Sequence, residues 1–413
     1  MKIGAKLLLF ISVFCALLGT ASAAPFHGLP YKTHKVITAD GAELILFEIL
    51  ANENGNVAEF KPGFIQTAEA VDDPVLKLVQ DGNRVFIGQV RLAGRHDTQS
   101  GRGPQNRLED VLNYDAPALT AKVIELAGGR KIDVIGYSMG GLQLLAMESN
   151  PRIKAELFPH IESRVYMGAV ANFKHLPQWV KLLAKSMLPV FKAVHKITKK
   201  DTIEYTTIFD YTLRLKKSGN PVLASYARVL ENSFMVLGNL LVRGVLADLR
   251  HMSPVARRRM YLKDISPLPL ELLITFAEAA ASKDGEIRDS QGRKLVNLAA
   301  VDGPALVVSG TKDALSPDAH NDELAKNLGG TKKIIKKKIT LVNVRHVTIT
   351  HGDGPKFNFM DLVVAFIKDP VYVSEIMDDN TIIKEPGICE RLLNKAASWL
   401  IVRGEKKKLR LRH

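Results

Sequence analysis

Apolar and polar positions change period repeatedly along the first third of the chain. Val36-Ile37-Thr38, a turn at Asp40-Gly41 and the run Glu43 to Leu50 predict an opening β-hairpin. Val57-Ala58-Glu59-Phe60 predicts a short strand running into Pro62-Gly63, and Pro74 to Gln80 predicts a helix closed by Asp81-Gly82. Arg84 to Val90 reads as the next strand. Ala116 to Leu126 reads as a helix with Leu119, Val123 and Leu126 as its apolar positions, and Lys131 to Ile135 as a nearly continuous apolar strand. Strands of that kind are covered on both faces, so the β-α-β-α-β rhythm predicts a mostly parallel sheet between two layers of helices.

The same rhythm resumes later, with strands at Arg164 to Val170, Ala305 to Val308 and Lys338 to Val344, and a closing helix from Phe357 to Ile367. Between about 171 and 300 the strand period disappears. That stretch is helical in pattern, rich in Leu, Lys and Arg, and punctuated by Pro177, Pro189, Pro221, Pro254, Pro267 and Pro269. It reads as one long helical insertion between two sheet strands, and no repeat of fixed period is visible.

The first 23 residues stand apart. Lys2 and Lys6 precede the apolar run Leu7 to Leu18, and Ala21-Ser22-Ala23 is a small-residue cleavage site. A run of about 12 apolar residues cannot cross a hydrocarbon core of ~30 Å as a helix, so the segment reads as an export signal and not an anchor. The expected organisation is therefore a signal peptide at 1–23, a sheet core at 24–171, a helical cap at 172–300, the second part of the core at 301–368, and a C-terminal extension with a basic tail at 369–413. The expected destination is the periplasm or the medium.

Composition narrows the class. The chain has 413 residues, 46% hydrophobic and 24% charged, with 30 Gly, 19 Pro and 2 Cys, which excludes collagen-like, low-complexity and disulfide-scaffold proteins. Cys15 leaves with the signal, so Cys389 stands alone and reads as a small buried hydrophobe. The formal net charge of +14 favours contact with anionic surfaces. Its clusters, at Arg257-Arg258-Arg259, Lys332 to Lys338 and Lys406 to Arg412, carry no interleaved aromatic residues, so nucleic acid is a poor match. They read first as solvated faces.

The chemistry concentrates after the strand at 131–135. It runs directly into Gly136-Tyr137-Ser138-Met139-Gly140-Gly141 and then into the helical Leu142 to Met147, which is G-x-S-x-G in a strand-turn-helix context. The turn is so tight that the residues two before and two after Ser138 must be small. The serine is pushed out over the C-terminal edge of the sheet, at a helix N-terminus where the Met139 N–H faces any oxyanion formed. A serine needs a base and an orienting acid. The strand Ala305 to Val308 ends in Gly310-Thr311-Lys312-Asp313, which puts a carboxylate on the same edge, while Asp318 fits a helix-capping role better. His346 follows the strand at 341–344 directly, and His351 comes five residues later. The order Ser138, Asp313, His346 is that of the motif class, and nearness to the strand end favours His346 over His351.

These residues give the chain a resemblance to the α/β-hydrolase superfamily, in its lipase and esterase-like branch, which also includes polyester synthases. It runs from about Val36 to Ile367, the insertion matching the cap only in position and character. The segment from His346-Val347-Thr348 through Pro355 to Ala365-Phe366-Ile367 resembles the family's post-histidine loop and last helix, a register that also favours His346. The resemblance implies an α/β-hydrolase fold with a large helical cap inserted before the acid-bearing strand. Where the family carries His-Gly-x, this chain has Pro62-Gly63-Phe64, which implies Phe64 N–H as the second oxyanion donor beside Met139. Val90-Arg91-Leu92-Ala93-Gly94 departs from the family's Asp-x-Arg-Gly run. Ser138 stands where the polyester synthases carry Cys, which favours hydrolysis over polymerisation.

The implied reaction is acyl transfer through Ser138, with His346 as base, Asp313 as its orienting acid and no cofactor or metal; no His/Cys/Asp cluster has zinc spacing. The large apolar cap points toward a small-molecule or lipid ester. Gln178 to Lys200 adds an amphipathic, lysine-rich stretch suited either to covering the sheet domain or to touching an anionic membrane surface. An acyltransferase of the same fold, and a non-catalytic lipid- or envelope-binding protein on the same scaffold, are the alternatives.

Overall fold

The computed structural model describes residues 25–63, 66–68, 72–94, 99–198, 202–203, 268–346, 348–351 and 359–383. The strands are β1 (Tyr31–Ile37), β2 (Glu43–Ile49), β3 (Val57–Lys61), β4 (Arg84–Gln89), β5 (Ile132–Tyr137), β6 (Ile161–Met167), β7 (Ala305–Gly310), β8 (Lys336–Leu341) and β9 (Asn380–Ile383). They form one nine-stranded sheet in the order β1-β2-β4-β3-β5-β6-β7-β8-β9. β2 runs antiparallel to β1 and to β4, and from β4 to β9 every pairing is parallel. The parallel strands therefore deliver their C-terminal ends to one edge.

The central strands are apolar because both faces are covered. Along β5, Ile132 and Val134 face one core and Ile135 and Tyr137 the other, and β7 divides Ala305 and Val307 from Leu306 and Val308 in the same way. The first core is closed by helices α2 (Ala116–Ala127) and α3 (Met139–Ser149), the second by α1 (Asp72–Gln80) and α8 (Phe359–Lys368). The Gly128 that ends α2 sits at φ +64, the left-handed position that a C-terminal glycine supplies at least cost. Two further helices, α4 (Pro151–Leu157) and α7 (Asp318–Asn327), lie between sheet strands in the chain.

The expected insertion shows two described helices, α5 (Gln178–Thr198) and α6 (Leu270–Ala281), packed on each other. Lys192 pairs with Glu278 at 2.7 Å between them, and Thr202–Ile203 pairs antiparallel with Leu268–Pro269 where they join. Residues 204–267, with Arg257-Arg258-Arg259, lie outside the described residues, as do residues 1–24, Cys389 and the basic tail. Among the described residues, no helix is long and apolar enough to cross a membrane.

Two expectations change here. The sheet core does not end at 368, because helix α9 (Pro370–Ile376) leads into β9, which adds a strand beyond β8. Nor is the lysine run at 336–338 a solvated face. Strand alternation turns Lys338 inward, 2% exposed, between Asp318 and Asp322, while Lys336 donates to the Lys326 and Leu328 carbonyls. In the run that departs from Asp-x-Arg-Gly, Arg91 is fully buried and ion-paired to both Asp115 and Asp40. Burial alone would lower its pKa, but the hydrogen bonds and charge of Asp115 and Asp40 outweigh that and raise it, so the guanidinium stays charged.

Asp133, near the start of β5, is buried and accepts the Ser163 hydroxyl at 2.6 Å. Burial pushes its carboxyl up to about 7, against the pull of that hydrogen bond. A raised carboxyl favours folding fully below the unfolded value and loses that contribution as pH rises through the folded one. Asp133→Asn, which cannot ionise, is therefore expected to gain on wild type by roughly 2–3 kcal/mol between pH 5 and pH 8. Urea midpoints at the two pH values check this; a pH-independent difference contradicts it.

Candidate active site

Ser138 sits between β5 and α3 with φ +53 and ψ −114, a left-handed backbone that a residue with a side chain adopts only where its surroundings impose it. The glycines around it supply that constraint. A Cβ on Gly136 would lie 2.6 Å from the Gly140 carbonyl carbon, one on Gly140 would lie 2.1 Å from the Lys61 carbonyl oxygen, and one on Gly141 would lie 2.4 Å from the Ala169 Cβ. Helix α3 can thus start directly against the ends of β3 and β6. The Ser138 N–H donates to the Met167 carbonyl at 2.9 Å, and the Ser138 carbonyl accepts from Gly141 and Leu142. Met139 opens the helix, so its N–H is among those without an intrahelical acceptor.

The loop after β7 carries Asp313 and the loop after β8 carries His346, and the two are stitched together. Thr311 and Lys312 N–H donate to the Leu341 and Val344 carbonyls, each at 3.0 Å. Gly310 is required there, since a Cβ would lie 2.4 Å from the Val344 oxygen. The result is a continuous chain. Asp313 Oδ2 lies 2.7 Å from His346 Nδ1, and His346 Nε2 lies 2.7 Å from Ser138 Oγ. All three residues are buried, at 3%, 2% and 7% exposure respectively.

The chemistry follows from donor and acceptor capacity. Asp313 Oδ1 already accepts the Leu315 and Ser316 N–H groups, at 2.9 and 2.8 Å, which orients the carboxylate. Its Oδ2 can only accept, so Nδ1 of His346 carries the proton and Nε2 presents a lone pair to the Ser138 hydroxyl. That is a serine poised to lose its proton to a base held in one tautomer.

Of the other positions read from the sequence, Asp318 is remote from this chain of bonds, accepting instead from Ser309 and Lys338 at 2.8 and 2.6 Å. His351 closes the short turn Thr348–His351. Phe64 lies outside the described residues, so its N–H is not placed. The loop it belongs to starts from β3, where Lys61 and Glu59 form a buried ion pair at 2.7 Å and the Thr120 hydroxyl donates to Glu59. On α5, Trp179 and Leu182 are exposed, at 44% and 65%, on a helix without an acidic residue.

A mostly parallel sheet antiparallel at β2, a serine at a strained strand-to-helix elbow, and an acid and a base on the next strand-end loops decide the architecture. The chain has the α/β-hydrolase fold. It is similar in fold to the DcsB complex with its substrate analogue, at 16% identity and a TM-score of 0.50, covering 83% of this chain and 100% of that one. It is also similar to an esterase from Exiguobacterium antarcticum (14% identity, TM-score 0.47, 82% and 100% covered). A thermophilic esterase from Thermogutta terrifontis shows 17% identity and a TM-score of 0.47, with 83% and 99% covered. No protein-family model and no curated protein sequence matches the chain.

Several residues of this candidate site escape a reading of the sequence. Gly168, at φ +52 just past β6, lets its backbone approach the acid and base; a Cβ there would lie 3.3 Å from Asp313 Oδ2. The acid loop also clasps the root of the insertion. Ser316 Oγ donates to the Ala169 carbonyl at 2.6 Å, and Ala171 N–H donates to His320 Nε2 at 3.2 Å. Burial, with the nearby His175, lowers the His320 pKa to about 4, so it stays a neutral acceptor. A glycine following a strand is the one signal in the sequence that points to any of these.

Proposed function

We propose that this protein is an exported serine hydrolase of carboxylic esters with hydrophobic acyl groups. The observation that carries the reading is the unbroken Asp313–His346–Ser138 hydrogen-bonded chain, buried at the strand ends beside the N-terminus of α3.

In this mechanism Ser138 Oγ attacks the ester carbonyl while His346 Nε2 takes its proton. Asp313 holds the imidazole in the productive tautomer and stabilises its charged form. The negative charge on the carbonyl oxygen is met by the Met139 N–H, with Phe64 N–H as the proposed second donor; one such donor contributes ~3 kcal/mol to the transition state. His346 returns the proton to the leaving alkoxide, and water then opens the acyl-enzyme by the same steps. The hydrophobic acyl preference draws on the apolar helical insertion that starts from the catalytic edge, and export draws on the leader at 1–23.

Hydrolysis of p-nitrophenyl esters from acetate to palmitate by the mature protein tests this. The expected result is release of p-nitrophenol with an optimum beyond the shortest chains. An optimum at acetate would remove the hydrophobic-substrate part and keep the esterase. No release at any length would overturn the reading, and acylated alcohol in place of free acid, with an acceptor alcohol present, would make the protein an acyltransferase.

A further inference from the structure

We propose that Tyr137 is a positioning residue of this site, its side chain setting the base loop and the oxyanion loop relative to the nucleophile. The proposal rests on the acyl-transfer reading of Ser138, His346 and Asp313. Tyr137 occupies the variable position of Gly-x-Ser, and the alternation of β5 turns it away from α3 into the second core. There it is fully buried, at 1% exposure, among apolar groups that include Ile349 and Val344.

Three contacts tie this residue to the two loops, beside a hydrogen bond between its hydroxyl and the Thr350 side chain. Its hydroxyl donates to the His346 backbone carbonyl at 2.9 Å. Its ring lies against the imidazole, with centroids 5.2 Å apart and planes tilted by 32°. Its edge also meets Gly63, where a Cβ would lie 3.1 Å from Tyr137 Cε1. Gly63 begins the oxyanion loop, its N–H donating to Gln66 Oε1 at 2.8 Å. Tyr137 is bonded to Ser138 through the main chain, so a single rigid side chain gauges two loops against the nucleophile. Burial holds the phenol well above its ordinary pKa, with the Asp313 charge adding to that, so it remains a donor throughout the working range.

The contacts also predict a variant that folds. The His346 carbonyl has a second donor, Ile349 N–H at 3.2 Å, so losing the phenol oxygen loosens this loop without orphaning the carbonyl. Tyr137→Phe keeps the ring and removes the hydroxyl's bonds to the His346 carbonyl and to the Thr350 side chain, both on the base loop. We expect kcat on a p-nitrophenyl ester to fall about tenfold or more, as misplacement of a catalytic group does, with KM within about twofold. The Nδ1 proton that His346 shares with Asp313, followed by NMR of ¹⁵N-labelled histidine and assigned with His346→Gln, is expected to move upfield as that hydrogen bond lengthens. Tyr137→Met, which fills the space without a ring, is expected to give a larger loss in the same two readouts.

A purely structural role would lower the melting temperature and leave the His346 Nδ1 proton resonance in place. Wild-type kcat together with an unmoved resonance in Tyr137→Phe would overturn the proposal. A moved resonance in a protein that turns over no ester would uphold the positioning role and remove the acyl-transfer reading instead.

Discussion

Ser138→Ala is expected to cut ester hydrolysis by about 10⁵- to 10⁶-fold in kcat, the size of effect seen when a nucleophile is lost from a serine triad. The loss has one cause, since Ser138 Oγ is the group that faces His346 Nε2, at 2.7 Å. Alanine fits the same backbone, with the elbow still imposed by Gly136, Gly140 and Gly141. The melting temperature should therefore stay within a few degrees of wild type, which separates loss of chemistry from loss of fold. Retention of more than about 1% of the activity would place the nucleophile elsewhere.

Asp313→Asn is expected to lower kcat by about 10⁴-fold with KM little changed. The present hydrogen bonds show why an isosteric change does so much. Oδ1 accepts two backbone N–H groups, from Leu315 and Ser316, and an amide must keep its oxygen there. That forces the NH₂ toward His346 Nδ1, which must become an acceptor. The ring proton then moves to Nε2 and points at Ser138, so the imidazole has nothing left with which to accept the serine proton. Activity close to wild type in a folded Asp313→Asn would mean that His346 is oriented by something other than this carboxylate.

What could be read from the sequence is what short-range sterics impose. Gly136 and Gly140 announce the elbow because the strand-to-helix turn has no room for a Cβ, and Gly310 precedes Asp313 for a similar reason, the crossing of the Val344 carbonyl. The buried strands around them are apolar runs, so their order along the chain was plain. Features set by pairing across the fold were not. Asn380–Ile383 is short and half polar, and becomes a strand only because β8 offers it a parallel edge. Lys338 reads as surface until strand alternation places it between Asp318 and Asp322. Tyr137 sits inside the motif, yet its partner is 209 residues away. The clasp at His320 likewise joins α7 to the root of the insertion, 149 residues apart.

The most direct test of the central claim needs no knowledge of the natural ester. Purified protein treated with a fluorophosphonate, digested and mapped by mass spectrometry, should carry one phosphonyl adduct on Ser138, and Ser138→Ala should carry none. An unlabelled protein, or an adduct on another serine, would contradict the assignment of Ser138, His346 and Asp313 as an acyl-transfer site.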